Sequence, residues 1–539
     1  MEFQSYAYGQ NHWDLDADLP VVLARYWPEL KRHREELHRF GALVGREAYE
    51  VAYHVDRDAR PVLVMHDLDG NRVDRVRLSP AEHSLLKQLA PMMRPPYEGG
   101  SWHHHYAMGY LLGDPGLGCI LTITQQTVYV IHKYAPEHSG WKDRLLSGEC
   151  WGATWMTESH AGSDLGANQT VARADGEVWR LSGDKYFASG AGLTDIALVT
   201  AHCEGSAAGA KGLSLFLVPR LDRKGKLNFT VRRLKDKSAT RAVPSGEVEL
   251  SNSEGYLVGK ADEGIYYAME DLTVSRLSNA AFAMGLAKKA QLEALFRAHR
   301  RSAFGRVIKD HPLMRRDLTD LAVRMAGGIA LTFHAVEAFE RAWLERPPYS
   351  ESYHYGRLLS HLTKNRTADH CAVITRLAME IFGGLGFLDE YAVARWHREA
   401  LITPIWEGSS NIQALEMLET LHKKNVSELF IAAFAGMLGA AATPEAKAAR
   451  QSLERVLAHL TTLGRIEAEW FSKKALNGLA DAATVALLYE LAETGGERYA
   501  KLANLYAHRF LMDEEYPSWA FEDSDIWRTG SEKTWTNDA

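Results

Sequence analysis

Several features that assign proteins to a class are scarce or missing in this sequence. The chain of 539 residues has four cysteines, Cys119, Cys150, Cys203 and Cys371. They form no CxxC pair, so the sequence predicts neither a disulfide framework nor a cysteine zinc site, and it favours a reducing compartment. The longest apolar run, residues 430–442, is too short to cross a bilayer, and we expect a buried helix there.

Basic charge and targeting signals are lacking as well. The sequence has 62 Lys and Arg against 69 Asp and Glu, which gives a net charge of −7. This balance argues against a protein whose main task is to grip nucleic acid. Residues 1–20 do not combine a basic start with an apolar run, so we expect a cytoplasmic protein without a membrane anchor.

The hydrophobic pattern divides the chain into four parts. Residues 1–150 carry apolar side chains at helical spacing. Short runs rich in β-branched and aromatic residues over 151–265 predict a mostly β domain, with a hairpin at Asp175-Gly176. Long helical patterns return over 266–424, and the tail 425–539 is again helical. The prediction is an α+β protein with four domains along the chain.

One acidic residue stands out in the stretch LITPIWEGSSNIQ, residues 401–413. Glu407 lies between Trp406 and Gly408, directly before a predicted helix. Ser410 and Gln413 have the spacing of a capping box, in which each side chain bonds a backbone N–H group at the helix start. A carboxylate at such a place can be a general base in a pocket, or it can simply be stabilised by the helix dipole.

Four further stretches could each bind a polar ligand, and each also has a plain structural explanation. The loop 155–170 places hydroxyls and glycines where backbone N–H groups approach an electron-rich group, or it is an ordinary loop. The aromatic pair in 184–190 could flank a planar ring or fill a core. Arg301 could close on a phosphate or lie at the surface. The glycines of 379–387 could approach a dinucleotide or only end a helix, and they do not match a Rossmann fingerprint.

Together these stretches resemble one family, the flavin-dependent acyl-CoA dehydrogenases, over roughly residues 90–420. The most specific match is RWHREALITPIWEGSSNIQ, and MTESHAGSD, DKYFASG, RRSAFG and MEIFGGLGF support it. The forms PIWEGSSN, HPLMR and RLKDKSATRAV, with a helical extension beyond 425, resemble the AidB-like branch, which is associated with the bacterial response to alkylating agents.

The resemblance implies a fold and a cofactor. The expected fold is α+β, with an N-terminal helical domain (1–150), a central β-barrel-like domain (151–265), a C-terminal four-helix bundle (266–424) and an additional helical domain (425–539). The expected cofactor is FAD. The residues that match flavin contacts of the family are Met156, Thr157, Ser163, Phe187, Ser189, Arg301, Gly383, Gly384, Ser409 and Asn411. Arg301 would reach the FAD of a neighbouring subunit.

The resemblance also implies a reaction. Glu407 matches the base that takes the α-proton of an acyl-CoA thioester, while N5 of FAD takes the β-hydride. Burial beside Trp406 is expected to raise the pKa of the base and so strengthen it. Arg276 and Ser163 match residues on the substrate side. The expected substrate is a short or branched acyl-CoA, with an electron-transfer flavoprotein as acceptor and a homotetramer, a dimer of dimers, as the assembly.

Two other functions stay open at this point. One is an AidB-like flavoprotein that shields DNA and turns over little or not at all, and the other is a flavin holder without turnover. Residues 425–539 contain 11 Lys and Arg against 17 Asp and Glu, a net charge of −6, which makes DNA an unfavourable partner. No metal site is expected, because the consecutive His103, His104 and His105 point in different directions on a helix. A histidine cluster at the surface or at the mouth of a pocket is expected instead.

Overall fold

The computed structural model describes residues 4–424 and 426–530. The chain divides into two compact units. The bundle unit comprises residues 1–49, 101–115 and 276–539, and the sheet unit comprises residues 50–100 and 116–275. None of the helices in the described part of the chain combines the length and the apolar character that a membrane crossing needs.

The helices and strands follow the predicted order. The α-helices are α1 His12–Leu15, α2 Leu19–Tyr26, α3 Leu30–Leu43, α4 Tyr49–Arg57, α5 Pro80–Leu89, α6 Trp102–Leu112, α7 Pro115–Tyr134, α8 Ser139–Leu146, α9 Gly264–Arg300, α10 Pro312–Ala342, α11 Glu351–Phe382, α12 Ala392–Ala400, α13 Ser410–Lys423, α14 Ser427–Ala440, α15 Pro444–Thr462, α16 Arg465–Gly495, α17 Glu497–Ala507 and α18 Trp519–Glu522. The strands are β1 Val62–His66, β2 Arg72–Arg77, β3 Gly152–Trp155, β4 Val171–Asp175, β5 Val178–Ser189, β6 Ile196–Cys203, β7 Leu213–Pro219, β8 Thr230–Leu234, β9 Ser245–Leu257, β10 Ser302–Ala303 and β11 Arg306–Val307.

The sheet unit is built on a barrel-like sheet. Its strands follow the order β3-β6-β4-β5-β9-β7, with β8 on β9, and a further pairing between β6 and β7 closes the ring. Every residue of β7 is buried, as expected for a central strand with a continuous apolar run. Asp175 pairs with Val178 across the β4–β5 turn, and Gly176 has φ +65°, so the predicted hairpin is confirmed.

The prediction of a helical N-terminal segment missed one hairpin. Strands β1 and β2 pair antiparallel, with Val62 opposite Arg77, in the sheet unit. Asp69-Gly70 is a hairpin signal of the same kind as Asp175-Gly176, and Gly70 has φ +82°. The two strands are short, β2 is highly charged, and neither has more than two buried residues, so they lack the pattern of a core strand.

The bundle unit contains the predicted four-helix bundle. Helix α10 packs on α11 and α11 on α13, while Met284 of α9 lies against Gly328 of α10. Helix α16 packs on α10, α11 and α13, so the C-terminal helices cover the bundle directly. The α+β fold with a helical start, a barrel-like middle, a bundle and a helical extension is therefore confirmed. The exact boundaries of four separate domains stay a prediction.

Candidate functional site

The candidate base lies in the turn between α12 and α13, inside the bundle unit. Glu407 has φ +58° and the following Gly408 has φ +92°. A left-handed backbone costs a residue with a side chain about 1–2 kcal/mol, so Glu407 adopts this conformation only because its surroundings impose it. Its side chain is half-buried. The turn therefore presents one carboxylate on a strained, fixed backbone.

Three buried side chains donate hydrogen bonds to the backbone carbonyls of this turn. The Nε of Arg276 donates to the Glu407 carbonyl oxygen over 3.1 Å. The amide of Gln413 donates to the carbonyl oxygens of Glu407 and Gly408, each over 2.9 Å. The Nζ of Lys364 donates to the Gly408 carbonyl oxygen over 2.7 Å. All three donors are almost completely buried, so the two carbonyls are fixed by groups that cannot turn to solvent.

A second carboxylate anchors the donors. Two guanidinium nitrogens of Arg276 lie 3.0 and 3.3 Å from the carboxylate oxygens of Glu416, and Arg357 contacts the same carboxylate at 3.1 Å. Burial opposes the Glu416 anion, but the charges around it, above all Arg276, outweigh burial and hold the pKa of Glu416 well below its usual range. Arg276 thus faces the chain's own carbonyl and carboxylate, and its predicted contact with substrate stays a prediction.

Two titratable neighbours complete the cluster. Burial above all, together with the charge of Arg276, lowers the pKa of Lys364 to about 7, and Glu407 opposes the shift. Burial also lowers the pKa of His361 to about 3, so this ring is neutral, and its Nδ1 lies 2.9 Å from the side-chain oxygen of Gln413. The Glu407 turn therefore rests on a neutral histidine and on a lysine that titrates close to neutral pH.

The predicted capping box is wrong. Helix α13 begins at Ser410 after an N-cap at Ser409, whose side chain makes no capping hydrogen bond in the described chain. Gln413 does not reach back to the helix N-terminus, because its NH₂ group donates to the two carbonyls of the left-handed turn and its side-chain oxygen lies against His361. The indole of Trp406 donates to the side-chain oxygen of Asn279. The motif thus holds the base rather than the helix end.

In the sheet unit, a buried ion pair fastens the loop that follows β3. The Glu158 carboxylate accepts the N–H groups of Gln169 and Thr170 over 2.5 and 3.1 Å, and it lies 2.7 Å from the ammonium group of Lys185. Burial opposes ionisation of Glu158, but Lys185 outweighs it and the pKa of Glu158 is lowered. Burial lowers the pKa of Lys185 to about 8. Sequence reasoning did not single out this pair, although a lysine in an apolar strand was a visible signal.

The predicted flavin contacts of the sheet unit fall into two groups. Thr157 and Ser189 lie close together, because two hydrogen bonds of 2.9 Å join the end of β3 and the segment after it to β5. The Thr157 carbonyl accepts the N–H of Tyr186, and the Trp155 indole donates to the Ser189 carbonyl. Between them a bulge in β5 leaves the Phe187 ring 57% exposed. Met156 precedes Thr157 and is buried, whereas Ser163 lies exposed at the tip of the loop.

An exposed aromatic ring on a core strand, with hydroxyls at Thr157 and Ser189, fits a planar heterocycle with polar edges. The residues present in the sheet unit therefore suit the isoalloxazine of FAD.

The other predicted flavin contacts lie on the bundle unit. Arg301 is exposed directly after α9. Gly383 and Gly384 are exposed after α11, and Gly383 has φ +66°, a conformation that favours glycine. Ser409 is half-buried and Asn411 is exposed, both within four residues of Glu407. The structure thus groups Ser409 and Asn411 with the base, and it places Arg301 and the glycines on separate exposed segments.

The three consecutive histidines of α6 are buried, so the expectation that they lie at the surface is wrong. His103, His104 and His105 are each at most 3% exposed, because every residue of α6 is buried in the bundle unit. They do point in different directions, as predicted. His103 approaches Glu337 at 3.4 Å and His104 approaches Glu36 at 3.3 Å, whereas the His105 ring packs on Trp102 and Tyr106.

Comparison with known proteins decides the family. The N-terminal domain of the adaptive response protein AidB matches residues 4–150, the acyl-CoA dehydrogenase middle domain matches 153–253, and the acyl-CoA dehydrogenase C-terminal domain matches 262–422. The AidB protein of Escherichia coli (strain K12) is 31% identical over 407 residues, which cover 70% of this chain and 72% of AidB. The chain belongs to the acyl-CoA dehydrogenase family.

Solved acyl-CoA dehydrogenases share this fold. Caenorhabditis elegans ACDH-11, crystallised in complex with C11-CoA, superposes with a TM-score of 0.81 at 23% identity and covers 98% of this chain and 94% of its own. An acyl-CoA dehydrogenase from Bacillus anthracis, solved with FAD, gives a TM-score of 0.67 at 18% identity, and the match covers 82% of this chain and 81% of the Bacillus chain. Homologues in the family therefore bind FAD, and the predicted resemblance to the AidB-like branch is confirmed.

Proposed function

We propose that this member of the family is an FAD-dependent acyl-CoA dehydrogenase that desaturates a short or branched acyl-CoA thioester between its α and β carbons. The observation that carries the proposal is the Glu407 turn, a carboxylate on a left-handed backbone whose carbonyl is held by Arg276 and Gln413. Strain of this kind persists where the surroundings over-determine it, and it concentrates at functional sites.

Each residue of the turn has a role in the proposed reaction. The Glu407 carboxylate takes the α-proton of the thioester, and the Glu407 backbone N–H donates to the thioester carbonyl, which stabilises enolate-like charge. Bound FAD would supply the acceptor for the β-hydride. Arg276, Gln413 and Lys364 position the base, since they donate hydrogen bonds to the backbone of the turn.

The proposal extends to binding and assembly. In the sheet unit FAD would be held by Met156, Thr157, Ser163, Phe187 and Ser189, and in the bundle unit by Arg301, Gly383, Gly384, Ser409 and Asn411. Ser163 and Arg276 are proposed on the substrate side. The family resemblance supports a cytoplasmic homotetramer that passes electrons to an electron-transfer flavoprotein.

A titration without oxygen tests the proposal. The purified chain, loaded with FAD, is mixed with a panel of acyl-CoA esters of increasing length and branching, and the visible absorbance of the flavin is followed. We expect one class of thioester to bleach the flavin. Glu407→Gln should keep the flavin colour and bleach at least about 100-fold more slowly, because removal of a general base typically costs that much.

A matched variant guards against unspecific damage. Glu454 is a half-exposed acid of α15 that pairs with Arg450, and Glu454→Gln should bleach like the wild type. Normal bleaching by Glu407→Gln would disprove the assignment of the base. A yellow protein that is inert to every thioester and retards duplex DNA in a salt-dependent way would favour the protective binding role instead.

A further inference from the structure

Three potential metal ligands meet at one place in the bundle unit, on helices that carry no part of the proposed reaction. His33 and Glu36 lie one turn apart on α3, and His104 faces them from α6. The Nδ1 of His33 and the Nε2 of His104 each lie 3.3 Å from the same carboxylate oxygen of Glu36. The three ligand atoms all lie within 4.8 Å of one another. We call this group the His33–Glu36–His104 cluster.

His104 gives this arrangement its chemical meaning. The residue is 3% exposed, and its Nε2 makes no hydrogen bond with any described residue although it lies 3.3 Å from a carboxylate oxygen of Glu36. A buried ring nitrogen without a hydrogen bond is unfavourable, and such groups commonly mark a bound water or ion.

The spacing suits a tetrahedral ion. Zinc binds histidine nitrogen and carboxylate oxygen at about 2.0–2.2 Å, which places neighbouring ligand atoms of a tetrahedron about 3.4 Å apart. Both nitrogen–oxygen separations of the cluster, 3.3 Å, match that value. An i,i+3 pair between His33 and Glu36 alone would explain one of these separations, but not the second imidazole, which comes from another helix and lies at the same distance from the same oxygen.

The His33–Glu36–His104 cluster has an aromatic side chain behind its histidines and is open to solvent on the side of His33 and Glu36. The Trp27 ring lies 5.1 Å from the His33 ring and 5.0 Å from the His104 ring, so an apolar wall backs both ligands and restricts their rotation. The His33 side chain is 30% exposed and that of Glu36 is 46% exposed, which leaves an ion a path from solvent.

We propose that His33, Glu36 and His104 bind a divalent zinc ion, with a fourth position open to water. The site is separate from the flavin and thioester chemistry of the Glu407 turn, because its ligands come from α3 and α6. The ion links these two helices through direct bonds, in addition to the apolar contacts of Trp27.

Equilibrium dialysis with Zn²⁺ tests this proposal. The full chain without a purification tag is stripped with a chelator and dialysed against zinc. We expect one zinc per chain, and at least about tenfold weaker binding in His33→Ala and in Glu36→Gln, since loss of an outer partner alone weakens sites by that factor. His38→Ala is the matched control, because His38 lies on the same helix and pairs only with Asp14, at 3.1 Å, in the described chain.

Two further measurements keep the outcome decisive. Co²⁺ in place of zinc should give the intense visible absorption of tetrahedral coordination in the wild type and in His38→Ala, but not in the two ligand variants. Zinc should raise the thermal midpoint of the same two proteins only. Absence of stoichiometric binding to the wild type, or equal binding by His33→Ala and Glu36→Gln, would overturn the site.

Discussion

Two features of the peptide backbone at Glu407 are energetically unfavourable by themselves. Its left-handed conformation is unfavourable for any side chain, and its carbonyl faces the interior, where an unpaired acceptor would also be unfavourable. Arg276 and Gln413 remove the second cost and offset the first, because each buried hydrogen bond contributes about 1 kcal/mol. The position of the base is therefore set by its neighbours rather than by its own preference.

Comparing two substitutions at this residue measures the strain. Glu407→Gly and Glu407→Ala both remove the carboxylate, but only glycine adopts φ near +58° freely. We expect Glu407→Gly to be more stable than Glu407→Ala by about 1 kcal/mol, as measured by urea unfolding followed by circular dichroism. Equal stability of the two variants would show that the left-handed turn stores no strain.

Lys364 makes stability depend on pH in a defined direction. Its folded pKa is about 7 and its ordinary value is 10.5, because the buried ammonium is desolvated and lies near Arg276. Between these values the unfolded chain holds a proton that the folded chain has released, so raising the pH stabilises the fold, by at most about 1.4 kcal/mol per pH unit. Against Lys364→Met, the wild type should gain thermal stability from pH 7 to pH 9. A constant difference between the two proteins would contradict the lowered pKa.

At the scale of elements, the loop after β3 depends on one lysine of β5. Lys185→Met would leave the Glu158 carboxylate buried without its cation, a loss of about 3–5 kcal/mol. We expect this variant to lose thermal stability and to release flavin during gel filtration. Arg173 lies on the neighbouring strand β4 and forms an exposed ion pair with Glu204. Arg173→Gln removes this pair and should change neither the thermal stability nor the retention of flavin. Retention of flavin by Lys185→Met would show that the loop after β3 does not contribute to cofactor binding.

The sequence could predict those elements whose signals are local. The long helices and the hairpin at Asp175 follow from hydrophobic period and turn chemistry, and the prominence of Glu407 follows from its motif. The contacts that hold the turn could not be predicted, since Lys364 lies 44 residues before Gly408 and Arg276 lies 131 residues before Glu407. The spacing of Ser410 and Gln413 fits a capping box, but in the folded chain Gln413 donates to the carbonyls of Glu407 and Gly408 and its side-chain oxygen lies against His361.

At the scale of the molecule, the C-terminal helices are part of the bundle unit rather than an appendage. Arg366 of α11 donates to both carboxylate oxygens of Asp481 in α16, over 2.7 and 2.9 Å, and Arg498 of α17 donates to Asp18 over 2.6 Å. All four side chains are buried. One acid and one arginine of the C-terminal helices thus form buried ion pairs with α11 and with the N-terminal segment.

Asp481→Asn tests this integration. The change leaves the buried Arg366 without its anion, and we expect the bundle unit to lose about 3–5 kcal/mol of stability. Calorimetry should show a lower midpoint for the transition of the bundle unit. Glu454→Gln, in a half-exposed pair of the same C-terminal region, should leave that midpoint in place. An unchanged Asp481→Asn transition would mean that the C-terminal helices contribute little to the bundle.

The hydrogen bonds that hold the Glu407 turn also limit how residues 401–413 can be transferred to another protein. A protein designer who transplanted residues 401–413 into another helical scaffold would carry over the carboxylate and Gln413, but the arginine and the lysine sit on α9 and α11. The grafted segment would relax to an ordinary right-handed turn and aim its acid elsewhere. A successful transplant needs the segment together with an arginine and a lysine that donate hydrogen bonds from neighbouring helices. The unit that can be transferred is therefore a three-dimensional assembly rather than a peptide.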